Sequence, residues 1–271
     1  VCAVLLILQG SLRAGEVEKS ALWREAERAI GVQVLLPSSS ALPTHPQSSI
    51  SFRPLGSGES SAAARCLRLY TEEFSKYPRS LLRRTNLEWV AFVKGLKVSN
   101  DPRAATYVRF FAAITMQPAG GMIYDVQQGA PDDGYVRWVL HHEFFHFIDD
   151  HLNRSVEDRA WVALNRAQSR YTGREASYSF VMEHPQPGAI TAYSLKSAWE
   201  DRAEIFAALF VDAAHPRLRQ IAEADPVVRR KIEHMMRLLK RTDPAMNEAF
   251  FRRRLGAHWS AIADNKAKPR R

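Results

Sequence analysis

Three residues carry the clearest chemical signal in this chain: His142, Glu143 and His146, in the pattern H-E-x-x-H. On a helix, residues i and i+4 stack one turn apart, so both imidazoles share a face. Two neutral imidazoles at that spacing can hold Zn²⁺, and Glu143 can reach a water that the metal polarises. The neighbours sharpen this reading. Val136, Trp138, Val139, Leu140, Phe144, Phe145, Phe147 and Ile148 leave almost no polar face, and a helix apolar all round is buried. Buried imidazoles and a buried carboxylate are costly unless something satisfies them, and a metal would satisfy all three. The bland alternative is a chance motif on an ordinarily packed helix.

A catalytic zinc needs three protein ligands and an open position. A metzincin would place a third His where this chain has Leu152, and a thermolysin-like enzyme would place Glu near Arg166. Neither pattern is met. The best source of a third ligand is the segment running from Trp199 to Ala208, where Glu200 and Glu204 stand at i and i+4 on a mostly apolar helix. Ala203, Ala207 and Ala208 lie close to that face and let a second helix approach. Ser197 with Glu200 also matches a capping box, which would spend Glu200 on the helix start and leave Glu204 as ligand. Spacing alone leaves both carboxylates open.

With His141 to Asp150 followed by Tyr193 and a Glu200-x-x-Ala203-Glu204-x-Phe206 segment, the chain resembles the gluzincin peptidases of the anthrax lethal factor-like and Pro-Pro endopeptidase-like group. The resemblance runs from about Tyr77 to Phe210. It implies a zincin-like α+β, mainly α, catalytic domain. A small mixed sheet would pack against the H-E-x-x-H helix, and a C-terminal helical part would carry the third ligand. It further implies Zn²⁺ on His142, His146 and Glu200, Glu143 as general base, and Tyr193 at the developing oxyanion. Glu204 becomes a residue that orients a ligand. From its place one turn past His146, Asp149 or Asp150 is a further candidate for holding a ligand imidazole, or else the pair is a solvated helix end. Tyr178 is the reserve for the Tyr193 role. The chain departs from the group in its longer span between His146 and Glu200, and in Trp199, Asp201 and Arg202.

The rest of the chain must position these groups. Its 271 residues, 46% hydrophobic and 25% charged, are enough for a sizeable core. The net charge of +9 is scattered, with no nucleic-acid motif, and reads as a solvated surface. Residues 1–14 read as a secretory signal, with a buried strand as the alternative. Residues 15–61 read as a helix (16–30) and a Ser/Pro-rich linker, residues 62–260 as the catalytic domain, and residues 261–271 as a basic disordered tail. Inside the domain the pattern predicts helices over 62–77, 79–84, from Asp132 or Asp133 onward, and over 198–211, 227–240 and 246–255. Strands are predicted over 87–98, 106–115 and 121–125. Residues 153–188 read as a polar insertion, a lid or cleft wall. His141 reads as a residue of the core or one that supports a ligand from behind, and His151, His184 and His215 as surface. Cys2 and Cys66 form no C-x-x-C pair, and no disulfide is expected. The expected function is a secreted or periplasmic zinc endopeptidase acting on a peptide or protein, with no nucleic-acid partner and no stable membrane span. The alternative is a non-catalytic zinc-bearing interaction protein on the same scaffold.

Overall fold

The computed structural model describes residues 21–35, 49–55, 60–99, 109–110, 113–116, 120–127, 132–151, 154–165, 171–173 and 181–256. The expected signal, the basic tail and Tyr178 lie outside these residues. The architecture is α+β and mainly helical, with one small mixed sheet.

The sheet is organised around β3 (Trp89–Ser99). Its first half pairs in parallel with β1 (Gln33–Leu35) and with β6 (Gly121–Asp125), and β6 pairs antiparallel with β5 (Ala113–Met116). Its second half pairs antiparallel with β2 (Ser49–Arg53) and β4 (Arg109–Phe110). The two halves meet where the β2–β3 register shifts, beside Gly95, whose φ of 60° favours glycine. The Asp125 carboxylate accepts from Leu96 N at 2.8 Å just beyond this bend.

Side chains alternate across β3 as a pleated strand requires. Val90 and Phe92, with Met122 and Tyr124 of β6, join the main core. Trp89, Ala91 and Val93, with Ile123, pack on the opposite face. Trp89 lies opposite Gly121, and a Cβ at Gly121 would stand 2.0 Å from the indole. Gly121→Ala therefore forces a buried ring out of place and should cost about 1–3 kcal/mol, read as a lower urea midpoint at unchanged slope.

The helices cover the main-core face. α1 (Ala21–Ile30) buries Trp23, Ala26 and Ile30 in that core. α2 (Ser60–Phe74) and α3 (Arg79–Arg84) follow, then α4 (Asp133–His151), which carries H-E-x-x-H. Asp132 opens α4, its Oδ1 accepting from Gly134 N at 2.8 Å and Tyr135 N at 3.2 Å. α5 (Arg154–Val162), α6 (Ala198–Phe210), α7 (His215–Ala224), α8 (Pro226–Thr242) and α9 (Glu248–Leu255) complete the set.

Several expectations change. The stretch read as linker contains β2, and the stretch read as a polar insertion contains α5. The strand expected over 106–115 is two short strands, and α7 was not anticipated. His215, read as surface, is buried, and its Nε2 donates to Leu209 O at 3.1 Å.

That bond helps close α6, which packs against α4. Lys76 and Arg254 donate to Phe210 O at 3.0 and 2.6 Å. Cations at a helix C-terminus satisfy the last carbonyls and suit the dipole. Phe206 of α6 lies 5.1 Å from Phe145 of α4, ring centre to ring centre, and 4.6 Å from Phe210. Among the described residues no helix is long and apolar enough to cross a membrane.

Candidate metal centre

Two helices bring the expected ligands together. α4 presents His142 and His146 from successive turns, and their rings lie 5.1 Å apart. α6 begins at Ser197, whose Oγ accepts from Glu200 N at 3.2 Å. This cap involves only the backbone of Glu200, so the cap reading and the ligand reading coexist. The Glu200 carboxylate turns toward α4: its Oε2 lies 3.1 Å from His142 Nε2 and 3.7 Å from His146 Nε2. One ligand atom from each of His142, His146 and Glu200 falls within 4.8 Å of the others, and all three residues are buried. The group could hold a metal ion.

Glu204, one turn further along α6, sits behind His142 rather than among these atoms. Its Oε1 accepts from His142 Nδ1 at 2.7 Å and from Trp138 Nε1 at 2.9 Å. Thr191 Oγ1 donates to its other oxygen at 2.6 Å. Trp138 and Thr191 hold this carboxylate in place, and it in turn fixes the His142 ring through Nδ1. With Nδ1–H spent on Glu204, Nε2 is the nitrogen left to face Glu200, the arrangement that orients a ligating imidazole.

The electrostatics favour a cation here. Burial opposes charge on His142, yet the hydrogen bonds to Glu200 and Glu204 outweigh it and push its pKa up to about 10. Burial likewise opposes charge on Glu200, but His142, His146 and Lys196 hold its carboxyl well below the usual range. An ionised carboxylate buried against two imidazole nitrogens draws positive charge to this point, a proton on His142 in the empty site or a metal cation in its place.

Glu143 is partly buried, and desolvation pushes it up to about 7 despite the opposing pull of His142 and Lys196. Tyr193 stands in a short 3₁₀ turn, Tyr193–Leu195, just before α6. Its hydroxyl donates to Glu200 Oε1 at 3.2 Å, and its ring centre lies 5.7 Å from that of His142. Burial, then the charges of Glu200 and Glu143, hold its pKa well above the usual tyrosine value, so the hydroxyl stays a donor at neutral pH.

Two further residues reach the site: Lys196, which was not singled out from the sequence, and Trp199, which was noted there only as a departure from the group. Lys196 donates to Glu200 Oε1 at 2.6 Å and to the Tyr193 hydroxyl at 2.9 Å. Trp199 covers His146, with ring centres 4.1 Å apart. The signal for Lys196 was its i, i+4 relation to Glu200, which is visible only once Glu200 is known to face inward.

The surroundings are built from buried polar groups. His141 points away from the centre, as read from its place on the helix. It is fully buried, and burial holds its pKa down at about 4 despite Glu73. The neutral ring donates from Nε2 to Glu73 Oε2 at 2.7 Å and accepts at Nδ1 from the Tyr77 hydroxyl. Asp149 is also buried, with Oδ2 accepting from Arg202 Nη2 at 2.7 Å. Cys66 is free, and burial pushes its thiol up to about 11, which argues against a thiolate nucleophile there.

Comparison with protein-family models, with curated proteins and with solved structures returns no match, so the case for this centre rests on the chain's own geometry.

Proposed function

We propose that this chain is a zinc-dependent endopeptidase with a zincin-like catalytic domain of the gluzincin type, acting in the periplasm or outside the cell. The observation that carries the reading is the convergence of His142, His146 and Glu200 within 4.8 Å of one another, beside a carboxyl pushed up to about 7. His142, His146 and Glu200 would hold the ion. The chemistry supplied by bound zinc is Lewis acidity, which polarises a carbonyl and acidifies water.

Glu143 then accepts the proton of the attacking water and returns it to the leaving amine, and a carboxyl near 7 suits both transfers. Tyr193 donates its hydroxyl hydrogen to the carbonyl oxygen as that atom gains negative charge. Among the described strands β5 ends the order, with α4 packed beside it, and its outer side is where an extended peptide would pair. The apolar bodies of α4 and α6 keep bulk water from the back of the centre.

The first experiment is metal analysis of the purified protein, followed by cleavage of an unbiased peptide library with and without a chelator. One zinc per chain and chelator-sensitive cleavage are expected. Zinc without cleavage would leave a zinc-bearing interaction protein on the same scaffold, and no zinc would end both readings.

The pH dependence follows from Glu143. Its active form is the carboxylate, and its raised pKa means that this form is lost as pH falls. kcat/KM should decline toward acid, with a midpoint at or below about 7, because a bound cation nearby favours the carboxylate. An acid limb that persists unchanged in Glu143→Gln at its residual rate would remove Glu143 from the role. Tyr193→Phe should lower kcat by a factor on the order of 10² with zinc content unchanged. Unchanged kcat would mean that Tyr193 serves only to hold Glu200.

A further inference from the structure

The two oxygens of Glu200 face different groups. Oε2 looks toward His142 Nε2 and His146 Nε2, at 3.1 and 3.7 Å. Oε1 looks the other way, accepting from Lys196 Nζ at 2.6 Å and from the Tyr193 hydroxyl at 3.2 Å. The Lys196 ammonium also donates to the Tyr193 hydroxyl at 2.9 Å, so the three groups close a triangle on the side of the carboxylate away from the imidazoles. The carboxylate is buried, whereas the Lys196 side chain is 30% exposed. Lys196 therefore reaches inward from the surface to a buried oxygen.

A carboxylate can ligate a metal through one oxygen or through both. If Glu200 used both, it would fill the coordination position that a catalytic centre keeps open. A charge-assisted hydrogen bond on one oxygen is a strong bias between these modes. We infer that Lys196 is a positioning residue that holds Oε1 out of the metal's reach, so that Glu200 ligates through Oε2 alone and one position stays open. The inference rests on the reading of His142, His146 and Glu200 as a metal site. It assigns Lys196 no contact with substrate.

Coordination number separates this role from a general structural one. Cobalt(II) can replace zinc and reports its geometry: four-coordinate Co²⁺ absorbs strongly in the visible, and the bands weaken and shift as further donors bind. The full chain should be loaded with one equivalent of Co²⁺ and compared with Lys196→Met, Lys196→Gln and Lys196→Arg. Melting curves show which variants are folded. In the Met and Gln variants the visible bands should weaken, while Co²⁺ affinity stays equal or rises, since a nearby positive charge has gone and a second ligand oxygen is released. Lys196→Arg, which can still bond Oε1, should restore the wild-type spectrum. Spectra of folded Lys196→Met and Lys196→Gln that superimpose on wild type would overturn the role of Lys196 and leave the metal site standing. A wild-type chain that takes up no Co²⁺ would overturn the site itself.

Discussion

Glu143→Gln should lose turnover by a factor of about 10² to 10⁴ while retaining a full complement of zinc. The amide keeps the shape and most of the packing of the carboxyl, but it cannot accept a proton at neutral pH. Glu143 contributes no atom to the three-ligand cluster, so the metal should stay. Glu200→Ala should behave in the opposite way and lose the metal, because it removes the oxygen 3.1 Å from His142 Nε2 and 3.7 Å from His146 Nε2. Glu204→Ala should lie between the two. It leaves all three ligands in place but frees the His142 ring, a change that typically weakens metal affinity by about 10- to 100-fold. The measurement is zinc content and competitive chelator titration for all three variants, with kcat for Glu143→Gln. Complete metal loss in Glu204→Ala with none in Glu200→Ala would reverse the assignment. Trp199 gives a second readout, since its ring lies 4.1 Å from that of His146 and its fluorescence should respond to the ion.

The parts of this site that could be read from sequence are those set by local spacing. His142 and His146 share a face because they are one helical turn apart, and Ser197 marks the start of α6 because its side chain reaches three residues ahead. Glu200 and Glu204 are a harder case. Both stand on the same face of α6, one turn apart, and which one meets the imidazoles depends on how far α6 slides along α4. Spacing carries no information about that slide, and only the resemblance separated the two. Asp201 and Arg202 stood out from the sequence as departures from the family pattern, and their reasons were not legible there. In the fold, Asp201 Oδ2 collects Trp161 Nε1, Tyr171 OH and Lys231 Nζ at 2.6 to 2.8 Å. Its partner Lys231 comes from α8, 30 residues further on. The span read as an insertion is tied down the same way. Gly188 O accepts from Lys231 Nζ at 2.6 Å, and Gly188 N donates to Asp225 Oδ2 at 2.5 Å. Polar residues there suggested a solvated stretch, whereas Trp161, Tyr171 and Gly188 from it supply hydrogen bonds to the buried Asp201–Lys231 pair beside α6. A charge in sequence looks the same whether its partner is water or a residue from a distant helix.

Arg202→Met should be the most damaging of the stability variants, at about 3–5 kcal/mol. Arg202 is fully buried two residues beyond Glu200. Its Nη2 donates to Asp149 Oδ2 at 2.7 Å, and its Nη1 lies 2.5 Å from Asp158 Oδ1. Asp149 is as buried as Arg202 and stands three residues past His146, so this pair joins α4 to α6 immediately beside the candidate ligands. Methionine fills much of the arginine volume, but it takes the Arg202 charge away from a carboxylate buried inside the protein, and that lost pairing is what makes the single substitution costly. The double variant Asp149→Leu with Arg202→Met removes both charges and should recover most of the loss, because a buried ion pair replaced by apolar groups is often neutral or stabilising. Urea unfolding of the two single variants and the double completes the cycle. A double variant no more stable than Arg202→Met alone would mean that packing around the guanidinium, and not the charge of Asp149, sets the cost. Zinc affinity gives an independent arm. If the pair fixes the position of α6 on α4, folded Arg202→Met should bind the ion more weakly than wild type even though no ligand has changed.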